Sequence, residues 1–261
     1  MQLLTRVGDD RDFTPSALAH YDLVAPLIEK SFAGTPIVYK NHWEGGDQGD
    51  DVMVTPFAFS VKRLLWLVHT QDAIEFYTAA RSRDDEDRLR FSRILLESPQ
   101  DVPYDLLRRA AHAVRSVLRD EAHLEAIPLL DGDSGIALWI PWADAPHAAP
   151  LRSWLRVLAH RLATQHPDLV STEVDTHQDG RVHLRVSSDG PGHYSVVPYS
   201  LREQSLRVCT PVRWTELDAV SGADAFEAED MMRRLHEHGD IFAMECARLA
   251  RQLFSDVPAR H

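Results

Sequence analysis

The sequence predicts an α+β fold, and three observations carry that expectation. Helix-like and strand-like segments are interspersed without strict βαβ alternation. Two apolar runs flank the tight turn DGDSG at 131–135, as in a hairpin. DG and GPG turns at 179–180 and 190–192 join further short strand-like runs.

Thr14-Pro15 reads as an N-cap followed by an N1 proline. Leu18, Tyr21, Leu23, Leu27 and Ile28 then follow at helical spacing, with Gly34 as a stop. A short strand is expected over Pro36 to Tyr39, then a loop rich in Gly and Asp at 44–51. A helix carrying Trp66, His69, Ile74 and Phe76 is expected over Val61 to Arg81, and a charged turn follows it. Arg93 to Leu96 reads as a strand ended by Pro99. Tyr104 to Glu125 reads as a long amphipathic helix. Leu129-Leu130 and Ile136 to Ile140 form the hairpin, and Pro150 to Gln165 a further helix with Trp154, Leu155, Leu158 and Leu162 on one face. Short strands are expected at Val174, Val182 to Val186 and Tyr194 to Val197. Asp224 to Phe254 is mostly helical, with a split at Gly239. No repeat or low-complexity linker divides the chain, so a single domain over 1–261 is expected: an N-terminal part to 90, a core over 91–220 and C-terminal helices over 221–261.

Composition narrows the function. Hydrophobic residues at 44% and charged residues at 26% are ordinary for a globular chain and argue against disorder. No run approaches the roughly 20 apolar residues of a membrane span. The first residues lack the apolar stretch of a secretory signal. Cys209 and Cys246 alone build neither a disulfide framework nor a Cys-rich zinc site. A cytoplasmic protein with free thiols, no membrane contact and no cofactor is expected. Net charge is −12, and only three lysines are present, Lys30, Lys40 and Lys62. Non-specific grip on nucleic acid normally relies on a basic surface, so weak or no nucleic-acid binding is expected.

Generic motifs are uninformative. No GxxxxGK[ST] or GxGxxG occurs. His236 and His238 are two apart and diverge on a helix, so they make no metal pair. GDSG at 132–135 lacks the β-rich, disulfide-bearing surroundings of a chymotrypsin-like nucleophile. His112 and His160 sit on helical stretches as surface or core-edge residues. The set His183, Arg185, Tyr199 and Arg202 is more specific. His183 and Arg185 are two apart on a strand and share a face. Arg202 from a neighbouring segment joins them to make an anion site, or a carboxylate of the 131–135 turn neutralises the arginines instead.

The order of segments resembles the polymerase domain of bacterial end-joining ligase D, within the archaeo-eukaryotic primase-polymerase superfamily. TPSALAHYDLVAPLIEKSFAGTPIVYK is similar to that family's opening helix and strand, and LLWLVHTQDAIEFY to its stretch ending in E-L-H. TQHPDLVSTEV and VVPYSLREQSLRVCTPVRWTEL resemble the most specific family signature, and GDIFA at 239–243 its closing G-D-P segment. The resemblance implies a mixed or antiparallel sheet with flanking helices, and two-metal nucleotidyl transfer at clustered carboxylates.

Against that family pattern the carboxylates are replaced. The Asp-x-Asp-Pro element aligns with Leu96-Glu97-Ser98-Pro99, which leaves Leu96 and Ser98 at the aspartate positions and turns Glu97 to the opposite face. The third aspartate aligns with Arg185. The triphosphate turn S-G-G-K-G-L-H reads DGDSGIA, so that Asp131, Ser134 and Ala137 stand for its serine, lysine and histidine. The histidine of E-L-H aligns with Tyr77. The segment that grasps the DNA end has no counterpart between Gly46 and Val52, and Arg202 is the main pocket residue retained. The leading expectation is a repurposed cleft that is no nucleotidyltransferase and holds no metal. It binds a small phosphate or sulfate ester through Arg185, Arg202, Ser98, Ser134 and Tyr199, with Tyr77, His183 and Asp133 as acid or base in a metal-independent step. The alternatives are a non-catalytic end-joining accessory that binds DNA or a protein partner, and a polymerase with displaced carboxylates at Glu97, Asp131 and Asp133.

Overall fold

The computed structural model describes residues 14–33, 35–41, 52–53, 57–78, 85, 87–98, 102–172, 180–186, 194–203 and 205–257. Helix α1, Thr14–Phe32, buries Ala17, Tyr21, Val24, Ala25, Ile28 and Phe32. Their spacing of three or four puts them on one face. Strands β1 (Pro36–Asn41), β2 (Val52–Met53) and β3 (Phe57–Ala58) follow, with both short strands antiparallel to β1. The loop over 44–51 lies outside the described residues.

Helix α2 covers Val61–Gln71, capped by Ser60, whose hydroxyl accepts from the Arg63 amide at 3.3 Å. The expected helix to Arg81 is corrected here. Asp72 adopts φ 50° at the C-cap and ends the helix. The chain is then extended, and β4, Phe76–Thr78, pairs with β1 at Val38–Tyr77. Ile74 and Phe76 are two apart, the period of a strand rather than of a helix, and that signal marks where the helix gives way to extended chain.

Strand β5 (Phe91–Glu97) leads to α3 (Tyr104–Ala122), the hairpin β6 (Ile127–Leu130) and β7 (Gly135–Pro141), and α4 (Ala148–Gln165). Strand β8 is Val170–Ser171 and β9 is Val182–Val186, while Val174 lies outside the described residues. Strand β10 (Ser195–Val196), β11 (Thr210–Pro211) and the single turn α5 (Trp214–Leu217) come next. Helices α6 (Asp230–His238) and α7 (Ile241–Arg248) are separated by Gly239 at φ 69°. Helix α6 starts later than Asp224 because Glu227 is held in a bridge to Arg207.

The strands form two sheets. One runs β10-β4-β1-β2, with β3 also on β1; the other is six-stranded, β11-β6-β7-β5-β9-β8, with only β8–β9 parallel. The period of two in β5, β7 and β9 sorts their side chains between two cores. Ile94, Leu96, Ile136, Leu138, Val182 and Leu184 pack under α3 and α4. Ala137 and Trp139 face the other way, with α1, α2 and α7 and the first sheet. There Phe32, Phe91, Trp139 and Phe242 stack at 5.4–6.1 Å between centroids. Arg93, fully buried on that same face, lies 5.2 Å over Trp139 and donates to the Thr78 carbonyl at 3.0 Å, tying the two sheets together. Among the described residues, no helix is long and apolar enough to cross a membrane.

Candidate functional site

A cleft of about 230 Å³ opens between the sheets. Its floor is Leu95, Ala137 and Trp139; its walls include Tyr77, Glu97, Asp131, Arg185, Tyr194, Ser195, Arg202 and Cys209.

The register fixes which residues of β5 face it. Leu95 stands opposite Arg185 on β9 and Ala137 on β7, and Glu97 stands opposite His183 and Gly135. Directly opposed residues share a face. Leu96 is fully buried in the helical core on the other side. This corrects the register inferred from sequence: Leu95 and Glu97, rather than Leu96 and Ser98, occupy the cleft face of β5. Glu97 therefore turns toward the cleft, where it forms an ion pair with Arg185 at the half-exposed rim.

Opposite that rim, Arg202 is held by a tight turn. Its backbone amide donates to the Arg207 carbonyl at 2.8 Å, and its carbonyl accepts from the Leu206 amide at 2.8 Å. The guanidinium lies 2.8 Å from Glu75 and 3.8 Å from Asp133. Gly132 makes this approach feasible. Its φ is +79°, and a Cβ there would lie 2.9 Å from Arg202 Cγ. Glu75 is 4% exposed and receives three donors: Arg202, the Tyr77 hydroxyl at 2.5 Å and the Glu203 amide at 3.2 Å. Burial opposes the Arg202 charge, but Glu75 and Asp131 outweigh it and raise its pKa.

Asp131 accepts from the amides of Gly135 and Asp133 at 2.9 and 2.8 Å. Burial nevertheless pushes its pKa up to about 6, against the pull of those amides and of Arg202. Its folded pKa is thus above the unfolded value of about 3.9. The stability it contributes is fully present below about pH 4 and is lost as pH rises through about 6. Asp131→Asn, which keeps an oxygen acceptor, should flatten the stability profile between about pH 4 and 7, measured by urea unfolding. An unchanged slope would reject this assignment. Cys209, buried beside Asp131, has its thiol pushed far above the ordinary range by burial and is no thiolate nucleophile.

The structure brings together some of the residues picked from sequence and separates others. Tyr77, Arg185 and Arg202 line the cleft. Asp133 is exposed at its edge near Arg202. His183, on the same strand face as Arg185, lines a second groove against α4 instead. Ser98 uses its hydroxyl on the Val102 carbonyl at 3.1 Å and its amide on the Ser134 carbonyl at 3.2 Å. Ser134 is exposed and neither serine lines the cleft. Tyr199 is buried in the second core with its hydroxyl given to Asp240 at 2.8 Å, so its reach toward the cleft is corrected. Glu75, Tyr194 and Ser195 were missed. Glu75 was hidden inside a run read as helix; its place in E-F-Y, where the family has E-L-H, was the signal available.

Two divalent ions need several oxygen ligands converging from adjoining elements. The cleft faces of β5 and β9 offer Leu95, Glu97 and Arg185, and the one carboxylate is already paired with the arginine. Among the described residues, no group of three His, Cys, Asp or Glu side chains could hold a metal ion. These residues do not fit a two-metal centre.

Comparison with known proteins bears on the family. The family described as "LigD, primase-polymerase domain" matches residues 20–242. The chain belongs to the LigD primase-polymerase family. The multifunctional non-homologous end joining protein LigD of Mycolicibacterium smegmatis is 28% identical over 184 residues, a stretch covering 69% of this chain and 24% of that protein. The polymerase domain of Mycobacterium tuberculosis ligase D superposes with a TM-score of 0.76 at 22% identity, over 99% of this chain and 100% of that one. This solved LigD-family domain is in complex with DNA. It overturns the expectation of weak or no nucleic-acid binding that net charge suggested, because an average over the whole surface says nothing of how charge is distributed locally.

Proposed function

We propose that this chain is a nucleic-acid-binding member of the LigD primase-polymerase family that does not carry out two-metal nucleotidyl transfer. In this reading its cleft holds a phosphate group through Arg185 and Arg202. The observation that carries it is the Leu95–Arg185 pair on the cleft face of β5 and β9, with Glu97 bound to the arginine. A cation at that point repels divalent metal and attracts phosphate directly. The Arg185–Glu97 pair is solvent-exposed and therefore worth little, so an entering phosphate competes for the guanidinium at small cost. Arg202 is held rigidly by Glu75 and the turn, and serves as the oriented partner. The end-joining role of the curated relative and the DNA held by the solved one support nucleic acid as the source of the phosphate.

Arg185→Ala is expected to weaken binding of a labelled duplex end about tenfold at constant salt, the value of one charge-assisted contact. Fluorescence anisotropy reads it, and Arg202→Lys should weaken binding similarly while preserving the buried charge pair. Unchanged affinity in both variants would remove the cleft from the interface.

A second reading is a metal-free step on a small phosphate or sulfate ester. Asp131 favours it, as a cleft-lining acid with a pKa of about 6 beside Arg202, next to the Tyr77–Glu75 pair. Phosphate-ester turnover abolished by Asp131→Asn would support that reading over the first.

A further inference from the structure

Asp131 lines the same cleft wall as Arg202 and is half-buried there. Its two amide donors, from Asp133 and Gly135, both bond Oδ1. Among the described residues, no hydrogen bond reaches Oδ2. The charged and titratable groups around it come from four sides. Asp133 shares its turn, and Arg202 and Cys209 come from the segment beside it. Glu75 and Tyr77 stand behind Arg202, and Glu97 and Arg185 form the opposite rim. No histidine is among the described residues that line the cleft.

With Asp131 ionised, the carboxylates of Glu75, Glu97 and Asp131 surround only two guanidinium groups. Glu75 and Glu97 each have an arginine as ion partner, whereas no ion pair joins Asp131 to a described residue. A phosphate group held by Arg202 and Arg185 brings further negative charge against this unpaired, poorly screened carboxylate. Like charges so confined do not both persist, and the carboxylate is the member that a proton discharges. Burial already raises its pKa to about 6, so the proton is within reach near neutral pH. We propose that anion binding in the cleft is coupled to uptake of one proton by Asp131, whose Oδ2 hydroxyl then donates to an oxygen of the bound phosphate group. This rests on the phosphate reading above. The proton comes from solvent and no covalent bond to the ligand forms. Protonation removes the repulsion and turns an acceptor into a donor, so the cleft reads a phosphate oxygen rather than charge alone.

The test uses the full chain and inorganic sulfate, a tetrahedral dianion that does not itself titrate near neutral pH. Calorimetry at about pH 6.5, in two buffers of different ionisation enthalpy, should show more than about half a proton taken up per sulfate bound. The wild type should bind sulfate at least about tenfold more weakly at about pH 7.5 than at about pH 5.5. Asp131→Asn keeps the oxygen acceptor for the two amides and places a permanent donor where the protonated acid has one. It should bind sulfate equally at both pH values and take up no proton. Glu237→Gln makes the same change in net charge on the exposed surface of α6, and should keep the uptake and the pH dependence. Sulfate binding without proton uptake, uptake that persists in Asp131→Asn, or uptake lost equally in Glu237→Gln would overturn the coupling and keep the cleft reading. No sulfate binding by the wild type at about pH 5.5 would overturn both.

Discussion

Glu75→Leu is expected to destabilise the fold by about 3 kcal/mol, the lower end of the range for removing one partner of a buried ion pair. Glu75 is almost wholly enclosed and receives the Arg202 guanidinium, the Tyr77 hydroxyl and the Glu203 amide. Leucine fills much of the volume but satisfies none of these donors. Asp133 is exposed and 3.8 Å from Arg202, too weak a substitute. Asp131 already accepts two amides. Glu75→Gln retains an oxygen acceptor for Tyr77 or Glu203 and should cost about half as much. Urea unfolding followed by circular dichroism measures both. A loss under about 1 kcal/mol for leucine would show that the cluster is not a structural anchor of the cleft.

Most of the architecture was legible where local pattern and burial agree. The α3 and α4 helices, the β6–β7 hairpin and strand β9 carry unambiguous periodicity, and Val182 and Leu184 alternate with His183 and Arg185 as the pleat requires. Helix α2 was overextended because its end depends on the left-handed conformation of Asp72, which no apolar pattern signals. The cleft was legible in type and not in detail. Arg185 and Arg202 do reach one cleft, but the β5 register slipped by one residue, and with a period of two such a slip exchanges every side chain between faces. That exchange decided the place of Glu97. Tyr199 and Glu75 depend on long-range partners, Asp240 and Arg202, which no local signal names. Net charge misled about partners because an average over the whole surface says nothing of the charge at one site.

The other large expected effect is a gain. Leu95→Asp combined with Arg185→Asp places two carboxylates directly opposite one another on β5 and β9, with Cβ atoms about 5 Å apart. Glu97 lies two residues on and shares that face. Three converging carboxylates at the open rim form the oxygen-rich, solvent-accessible set that divalent ions require. Both substituted positions border the cleft, so the cost to folding is mutual repulsion of the acids, relieved by the ion itself. Mn²⁺ binding followed by calorimetry should be at least about tenfold tighter than in the wild type. No gain would mean that these positions do not converge as the register dictates.

On the function proposed above, the wild-type cleft does not support two-metal nucleotidyl transfer. Primer extension with micromolar protein, a primed template, nucleoside triphosphates and Mg²⁺ or Mn²⁺ decides this. No metal-dependent nucleotide addition above a protein-free control is expected. Metal-dependent extension that is abolished by Glu97→Ala would show instead that the cleft holds catalytic metal.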